Sequence, residues 1–340
     1  TLVDMVVEET NQASGFSKSL STFGEMGDVD GQRYDDVEYL PEDFRFEGQD
    51  GYVSNSDNSD AQSLTDRLIP IRRNKAIHIK TAITTKELRD PRLREMAVKG
   101  FAREIRNKVD TYCYTKAIQK ANMVVTSASA VQQSDTSAAE VLMLDAGLGG
   151  YSSCIHLSLP HYKDLSDKLA LNQYHGGLPQ TAYERSIIPN QIGGFDKAVR
   201  ADYRLTLAAQ GATGLTVTGN QSHTVQTKDA NDNYIDNREM ELVISATAGL
   251  KAGDKFTIPG VNRLNPEVRE DTSELMTFTV NSVKNATTLV ISPAIIVDGP
   301  FRIIGVIESF LICMPLGSVK NKGQFRHNDL SLFNQASLNF

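Results

Sequence analysis

A long helical pattern between residues 90 and 119 limits the possible folds more than any other part of the sequence. Asp90-Pro91 predicts a helix start, because aspartate caps the first turn and proline is tolerated at the first helical position. Apolar residues then recur at every fourth position, namely Leu93, Ala97, Phe101, Ile105, Val109, Cys113 and Ala117. The pattern predicts one amphipathic helix of about 45 Å that ends near Gln119. In a chain of 340 residues, a helix of this length predicts a structural spine.

Charge is separated along the chain around this helix. Residues 1–60 contain fifteen acidic and three basic residues, a net charge of −12. Residues 61–125 contain six acidic and fifteen basic residues, a net charge of +9, although the whole chain carries only −7. The two segments are either independent solvated surfaces or complementary ones, in which the acidic segment of one copy lies on the basic segment of a neighbouring copy.

The first sixty residues lack a periodic apolar core. Val3, Val6 and Val7 predict a short amphipathic helix, and a segment rich in Gly, Ser, Asp and Asn follows from residue 24 to about residue 63. So much irregular sequence favours an arm and an extended hairpin over a loop inside one compact domain. Alternating isoleucines at 69/71 and 77/79 predict strands in the returning leg of that hairpin.

The middle of the chain predicts a mixed α+β body. Ser137-x-x-Glu140 has the pattern of a capping box and predicts a helix that ends at the glycines of 147–150. A strand is expected over 152–159, followed by a helix from Pro160 to about Leu171.

From about Ala212 the sequence changes to short strand patterns separated by turn residues. Strands are predicted at 215–219, 240–245, 255–258, 276–280 and 287–292. Strand patterns at regular intervals, without helical periodicity, are typical of a small β-barrel or sandwich. Because the α+β patterns flank this region, the sequence predicts a β-domain inserted into the body.

No group of residues fits catalysis, and we predict no enzyme activity, no metal site and no cofactor. The glycines at 147–150 lack the dinucleotide spacing and follow a helix instead of a strand. Gly249 to Lys255 lacks the spacing and hydroxyl of a phosphate loop and is predicted to be a hairpin turn. Residues 229–236 resemble a calcium loop, but Tyr234 stands where the sharp turn needs glycine, so an exposed acidic tip is predicted.

The sequence also argues against membrane and secreted proteins. No apolar run approaches the length needed to span a bilayer. Cys113, Cys154 and Cys313 are odd in number and far apart, which fits a reducing cytosol better than a disulfide framework.

Several short motifs resemble, in order and spacing, the coat proteins of P-22-type short-tailed phages. These motifs are Pro179 to Tyr183, Gln191 to Asp196, Ala212 to Gly219, Asp236 to Arg238, Ser245 to Lys255, Pro259 to Val261, and Thr279 through Ser292-Pro293. The opening Val3 to Glu8 is similar to the start of the family's N-terminal arm. The resemblance covers most of residues 1–300, is most specific between 179 and 293, and is looser over 20–90.

The resemblance implies an α+β fold of the HK-97-like capsid type with an inserted all-β barrel. The expected parts are an N-terminal arm (1–25), an extended loop (26–85), a peripheral domain with the spine helix (86–125), an axial-domain helix (126–150), a peripheral and axial region (151–211), a telokin-like inserted barrel (212–297) and an incomplete end of the axial domain (298–340).

The function implied by the resemblance is that of a major capsid protein. Such a protein assembles with a scaffolding protein into an icosahedral procapsid of hexamers and pentamers in the host bacterial cytoplasm. It contacts a portal protein, and after maturation it encloses double-stranded DNA in the virion, with nonspecific contacts to the DNA.

Three groups of candidate site residues follow from the resemblance combined with the charge pattern. They are Asp4, Glu8 and Glu9 for the scaffolding protein; Asp229, Asp232 and Asp236 at the tip of an inserted-domain loop that reaches adjacent capsomers; and Arg92, Arg94, Arg103 and Arg106 on the spine helix, which would meet the acidic extended loop of a neighbouring subunit. Arg263 and Arg269 are candidate partners for the acidic tip.

The sequence departs from the family pattern at both ends. It begins at Thr1 without an initiator methionine, and it stops at Phe340, where the family continues. We therefore expect a truncated or processed chain, or a sheet completed by another segment. The match is also poor from Asp298 to Lys322.

Two alternative functions share part of these features. A nanocompartment shell around a cargo enzyme has the same capsid fold, but the inserted β-domain favours a phage protein. A β-rich tail protein or adhesin would explain the barrel, but not the long basic helix or the charge separation.

Overall fold

The structure is a computed structural model that describes residues 16–20, 37–41, 46, 68–72, 75, 77–80, 82, 84, 89–125, 131–149, 153–171, 188, 192–201, 214–230, 232, 234–304, 317–318 and 331–334. A 3₁₀ turn covers Phe16–Ser19. The helices are α1 (Pro91–Lys120), α2 (Gln133–Asp145) and α3 (Leu159–Leu171). The strands are β1 (Val37–Pro41), β2 (Leu68–Arg72), β3 (Ser153–Ser158), β4 (Lys197–Ala201), β5 (Met240–Val243), β6 (Lys255–Leu264), β7 (Asp271–Val283), β8 (Thr288–Ser292), β9 (Gly317–Ser318) and β10 (Ser331–Asn334).

Helix α1 is the spine helix that the sequence predicts. It has 30 residues, and the Asp90 carboxylate caps its first turn by accepting a hydrogen bond from Arg92 N at 2.9 Å. The predicted apolar stripe is only partly correct, because a four-residue repeat drifts by about 40° per step on a helix of 3.6 residues per turn. Leu93 is therefore exposed, and the buried positions near the C-terminal end of α1 are Asp110, Tyr114, Ala117 and Ile118.

Strands β1 and β2 pair antiparallel, with Tyr39 opposite Pro70 and Leu40 opposite Ile69. The prediction of a strand at the 69/71 isoleucines is confirmed. The prediction of a second strand at 77/79 is wrong, since residues 77–80 have no regular secondary structure. Two isolated alternations are too short a signal to distinguish a strand from extended chain.

Helix α2 begins four residues before the predicted capping box. Asp135, not Glu140, closes the box, because its carboxylate accepts a hydrogen bond from Gln132 N at 2.9 Å. Ser137 instead donates its hydroxyl to the Gln133 carbonyl. The predicted end is correct, since α2 stops at Asp145 and Gly147 adopts a left-handed φ of 76°.

Around α2 lies a small α/β layer. β3 pairs parallel with β4 and antiparallel with β10, and α3 packs on β3. Its core joins α2, β3 and α3 with the 192–195 turn through Ala139, Met143, Ile155, Leu165 and Phe195. Gly194 in that turn has a φ of 85°, and a Cβ there would lie 1.7 Å from Glu140 Cδ. The turn therefore needs glycine for both its conformation and its close approach to α2.

A five-stranded antiparallel sheet in the order β5-β8-β7-β6-β9 forms the second layer. Its core is the largest in the described chain and extends from Leu215 to Ile304, with Leu242, Phe278, Val280 and Ile291 fully buried. The turn at Gly249 to Lys255 is not the predicted hairpin, because it joins β5 to β6 and these strands are not neighbours in the sheet. The local signal identified the turn but not which strands pair.

Strand β7 is buried on both faces between Met276 and Val280. Its apolar side chains point to the sheet core, and Thr279, on the opposite face, contacts the end of α1. Apolar and threonine residues thus alternate because this strand separates two different packing surfaces.

Candidate interaction surfaces

The basic residues predicted to flank α1 are Arg92, Arg94, Arg103 and Arg106, of which Arg94 lies on the opposite side of the helix from the other three. The first three are exposed and Arg106 is half-buried. Within the described part of the chain, none of the four forms an ion pair. The helix pairs its lysines instead, Lys99 with Glu95 and Lys108 with Glu104.

The same half of α1 also exposes apolar side chains. Leu93 is 44% exposed and Met96 is 61% exposed. At 100° per residue, Met96, Arg92, Arg103 and Arg106 fall within about 80° of one another around the helix. This half of the helix therefore presents a mixed basic and apolar surface.

The predicted acidic tip is a tight loop closed by a bridge between Lys228 and Tyr234. Asp232 is exposed, has a φ of 65°, and pairs with Lys228 at 2.9 Å. This hydrogen bond raises the pKa of Lys228. Asp229 is half-buried at the start of the loop. The loop also contacts β1, since the Tyr39 and Tyr234 ring centroids are 4.9 Å apart.

Asp236 differs from the other two carboxylates in its environment. Arg238 donates Nε and Nη2 to its two oxygens at 2.9 Å and 2.7 Å. Burial alone would raise the pKa of Asp236, but the bonds and charge of Arg238 lower it overall. Asp236 is thus already held by a cation of its own chain.

The two suggested partners of the acidic tip are not freely exposed. Arg263 is only 6% exposed. Arg269 donates its guanidinium to the carbonyls of Pro300 and Gly299 at 2.8 Å and 3.1 Å. The burial of Arg263 argues against a contact with the tip, whereas a contact of Arg269 with the tip of a neighbouring copy stays a prediction. Asp4, Glu8 and Glu9 lie outside the described residues.

The sequence did not predict the contact between the β-sheet and the C-terminal end of α1. Lys255 donates Nζ to the Ile118 carbonyl, and Thr279 donates its hydroxyl to the Ala121 carbonyl, both at 2.9 Å. Lys120 Nζ lies 3.9 Å from Glu239 Oε1. Carbonyls at a helix end lack intrahelical partners, and a lysine there also interacts favourably with the helix dipole. The sheet therefore supplies hydrogen-bond donors and a positive charge to the C-terminal end of α1.

A second unpredicted junction anchors the 3₁₀ turn to α1 and β3. Phe16 is 1% exposed and lies edge-on to Tyr114 and His156, with centroid distances of 5.4 Å and 4.8 Å. Ser17 N donates to the buried Asp110 carboxylate, and Ser19 Oγ lies 2.8 Å from His156 Nε2. Burial lowers the pKa of His156 to about 4, although the Asp110 charge acts in the opposite direction.

Local sequence signals for both junctions are faint. Thr277 and Thr279 in an otherwise apolar strand suggest a polar face, and Asp110 interrupts an apolar helix pattern. The partners are 93 to 158 residues away in sequence, and local patterns contain no information about such pairs.

The family model described as "P22 coat protein - gene protein 5" matches residues 1–299. The chain belongs to the P22 coat protein family. It is a phage major capsid protein and a component of the virion capsid. A solved structure, the CUS-3 coat protein I-domain, is also similar at 32% identity, with a TM-score of 0.25, covering 31% of this chain and 97% of that chain.

Membership in this family favours the capsid over the nanocompartment and the tail or adhesin alternatives. Coat proteins of this family build a shell from many subunits, with a scaffolding protein in P-22-type phages. The family is a structural family and not an enzyme family. In the described part of the chain, no helix combines the length and apolarity required to cross a bilayer.

Proposed function

We propose that this coat protein has an HK-97-like fold with a barrel-like domain inserted after the α/β layer. The continuous core from Leu215 to Ile304 supports this division. Since Phe301 and Ile304 belong to that core, we place the end of the inserted domain a few residues beyond the predicted boundary at 297. We retain the arm at 1–25, the extended loop at 26–85, the spine at 86–125, and the surrounding axial and peripheral regions as proposed divisions.

Its role is to assemble with a scaffolding protein into a procapsid of hexamers and pentamers in the host cytoplasm. The mature shell then encloses double-stranded DNA and joins a portal protein. Contacts with DNA are nonspecific and weaken with salt, because they involve phosphates and not base edges. Many weak contacts repeated by symmetry give a stable shell.

The observation that carries the assembly proposal is the set of spine arginines without an intrachain ion pair among the described residues. Residues 1–60 carry a net charge of −12. Residues 26–60 of the extended loop of a neighbouring copy, which belong to that acidic segment, supply the complementary charge. Opposite surface fields steer such contacts and set their register.

A double reversal, Arg103→Glu with Arg106→Glu, tests this contact. Co-expression with the scaffolding protein should give few or no closed shells by electron microscopy, while the unassembled subunit keeps the wild-type circular dichroism spectrum. Arg103→Gln with Arg106→Gln should reduce the yield less, because it removes attraction without adding repulsion. Lys251→Glu, an exposed charge reversal in the inserted domain, is the matched control. A wild-type shell yield from the double reversal would contradict the proposal.

The acidic tip and the acidic arm are proposed as two further contacts. Asp229→Lys with Asp232→Lys should weaken contacts between capsomers, seen as shells that dissociate at a lower urea concentration. Asp236 belongs to the proposed tip, but Arg238 already neutralises it, so its contribution should be the smallest of the three.

Asp4→Lys with Glu8→Lys, extended by Glu9→Lys, should impair scaffold-directed assembly, and an unchanged particle yield would contradict that role.

A further inference from the structure

A cavity of about 360 Å³ lies where the inserted sheet meets the ends of α1 and α2. Its wall includes Lys120 and Leu148 from the helical side and Arg238, Glu239, Arg263 and Met276 from the sheet side. Pockets of this size, with apolar walls and a few polar groups, are typical of small-ligand sites.

Arg263 is the exceptional member of this wall. It is 6% exposed, and its Nη1 is buried without a hydrogen-bond partner among the described residues. Glu274 and Asp145 act on its charge, but Arg263 forms no ion pair with either among the described contacts. Burial lowers the pKa of Arg263, yet a guanidinium remains charged in proteins. A buried cation without a partner is strongly unfavourable.

The neighbouring charges do not compensate Arg263, because each already has a partner. Glu239 lies near Lys120 and accepts a hydrogen bond from Asn281 at 2.7 Å. Arg238 is occupied by Asp236.

Donors also reach carbonyls at the two helix ends. Lys255 and Thr279 bond the last carbonyls of α1. Leu148 N and Gly147 N bond the Met143 and Leu144 carbonyls at the end of α2. Among the residues that the structure describes, the cavity therefore keeps one buried cation, the Arg263 guanidinium, without an ion pair or hydrogen-bond partner.

We propose that this cavity binds a small free oxyanion of the phosphate class, which pairs with the Arg263 guanidinium. Guanidinium and phosphate form charge-assisted hydrogen bonds of matching geometry. Because Asp236 and Glu239 match the charges of Arg238 and Lys120, the net positive charge of the described wall comes from Arg263. The position of the ion between the inserted sheet and the spine helix means that binding stabilises their junction.

Thermal unfolding of the unassembled subunit in phosphate, at constant ionic strength maintained with chloride, tests the site. The melting temperature of the wild type should rise by about 2–4 °C across the titration, because phosphate binds only the folded chain. Equilibrium dialysis should give one phosphate per chain. Arg263→Met should abolish both the shift and the bound phosphate, and its melting temperature without phosphate should equal or exceed that of the wild type, since no buried charge is left unpaired.

Lys284→Met is the matched control, because it removes an exposed cation of the same sheet outside the cavity. It should keep the full phosphate response. Arg263→Lys keeps the charge but loses the planar fork, and its affinity for phosphate should fall at least tenfold. This variant provides the test if Arg263→Met does not fold. Equal phosphate shifts in the wild type and the folded Arg263 variant, or no shift beyond that in chloride, would overturn the proposal.

Discussion

The inserted sheet and the N-terminal half of the spine helix differ in how far their apolar and charged side chains find partners within the described chain. The sheet buries a continuous core, and two exposed lysines of its domain, Lys228 and Lys284, pair with Asp232 and Glu241. The spine half exposes Leu93 and Met96 and carries four arginines without an ion pair among the described residues. The sheet has a continuous core of its own, whereas we propose that other copies cover the spine surface.

The end of α1 connects these two regions. There the sheet supplies the hydrogen-bond donors that the helix lacks, through Lys255 and Thr279. One helix therefore ends in an intrachain contact and begins in a proposed interchain contact. Stability and assembly should respond separately to substitutions at its two ends.

The largest effect on folding should come from the sheet core. Phe278 is fully buried, with its ring centroid 5.7 Å from that of Phe256. Phe278→Ala should lower the free energy of unfolding by about 3–5 kcal/mol, measured by urea denaturation of the unassembled subunit. Val268→Ala, at a side chain 61% exposed, should change it by less than about 0.5 kcal/mol. Similar losses for both variants would contradict the assigned core.

The next effect concerns pH and the anchor of the 3₁₀ turn. The pKa of His156 is about 4 in the fold and about 6.5 when unfolded, so the unfolded chain binds the proton more readily. The contribution of neutral His156 to the free energy of unfolding is complete above pH 6.5. It falls by about 2–3 kcal/mol as the pH decreases to 4. In His156→Gln this component should vanish from urea midpoints measured across that range. A pH profile parallel to the wild type would argue against the buried neutral histidine.

A smaller effect is expected at the junction of sheet and helix. Thr279→Val removes the donor to the Ala121 carbonyl without changing side-chain volume much, and should cost about 1–2 kcal/mol. Hydrogen exchange should accelerate in the last turn of α1. Lys255→Met should act in the same way, whereas Lys251→Met, an exposed lysine four residues earlier, should not. Unchanged exchange in both junction variants would contradict the capping role of the sheet.

The smallest effect on folding, with a large one on assembly, is expected at the spine surface. Leu93→Ala with Met96→Ala should change the free energy of unfolding by less than about 0.5 kcal/mol per site, because Leu93 is 44% and Met96 61% exposed. Light scattering should nevertheless show slower or incomplete shell formation with the scaffolding protein. Normal assembly kinetics would indicate that this apolar surface is not an interface.

Local patterns predicted the elements better than their contacts. The spine helix and strands β5 to β8 follow from capping residues and periodicity, whereas β9 was not predicted and the predicted strand at 215–219 contains isolated bridge residues but no strand. The charge separation indicated basic residues on α1. The pairing of β5 with β8, and not with β6, could not be predicted, because pairing partners are distant in sequence. The burial of Arg263 was not predicted for the same reason, because the sequence alone does not show that a single arginine in a strand is buried.

Hydrogen–deuterium exchange of residues 91–106, compared between the unassembled subunit and the assembled shell, tests the central claim most directly. We predict that amides in this half of α1 gain protection on assembly, while those of β7 and β8 are equally protected in both states. Equal exchange of residues 91–106 in the two states would contradict the claim that neighbouring copies complete the spine surface.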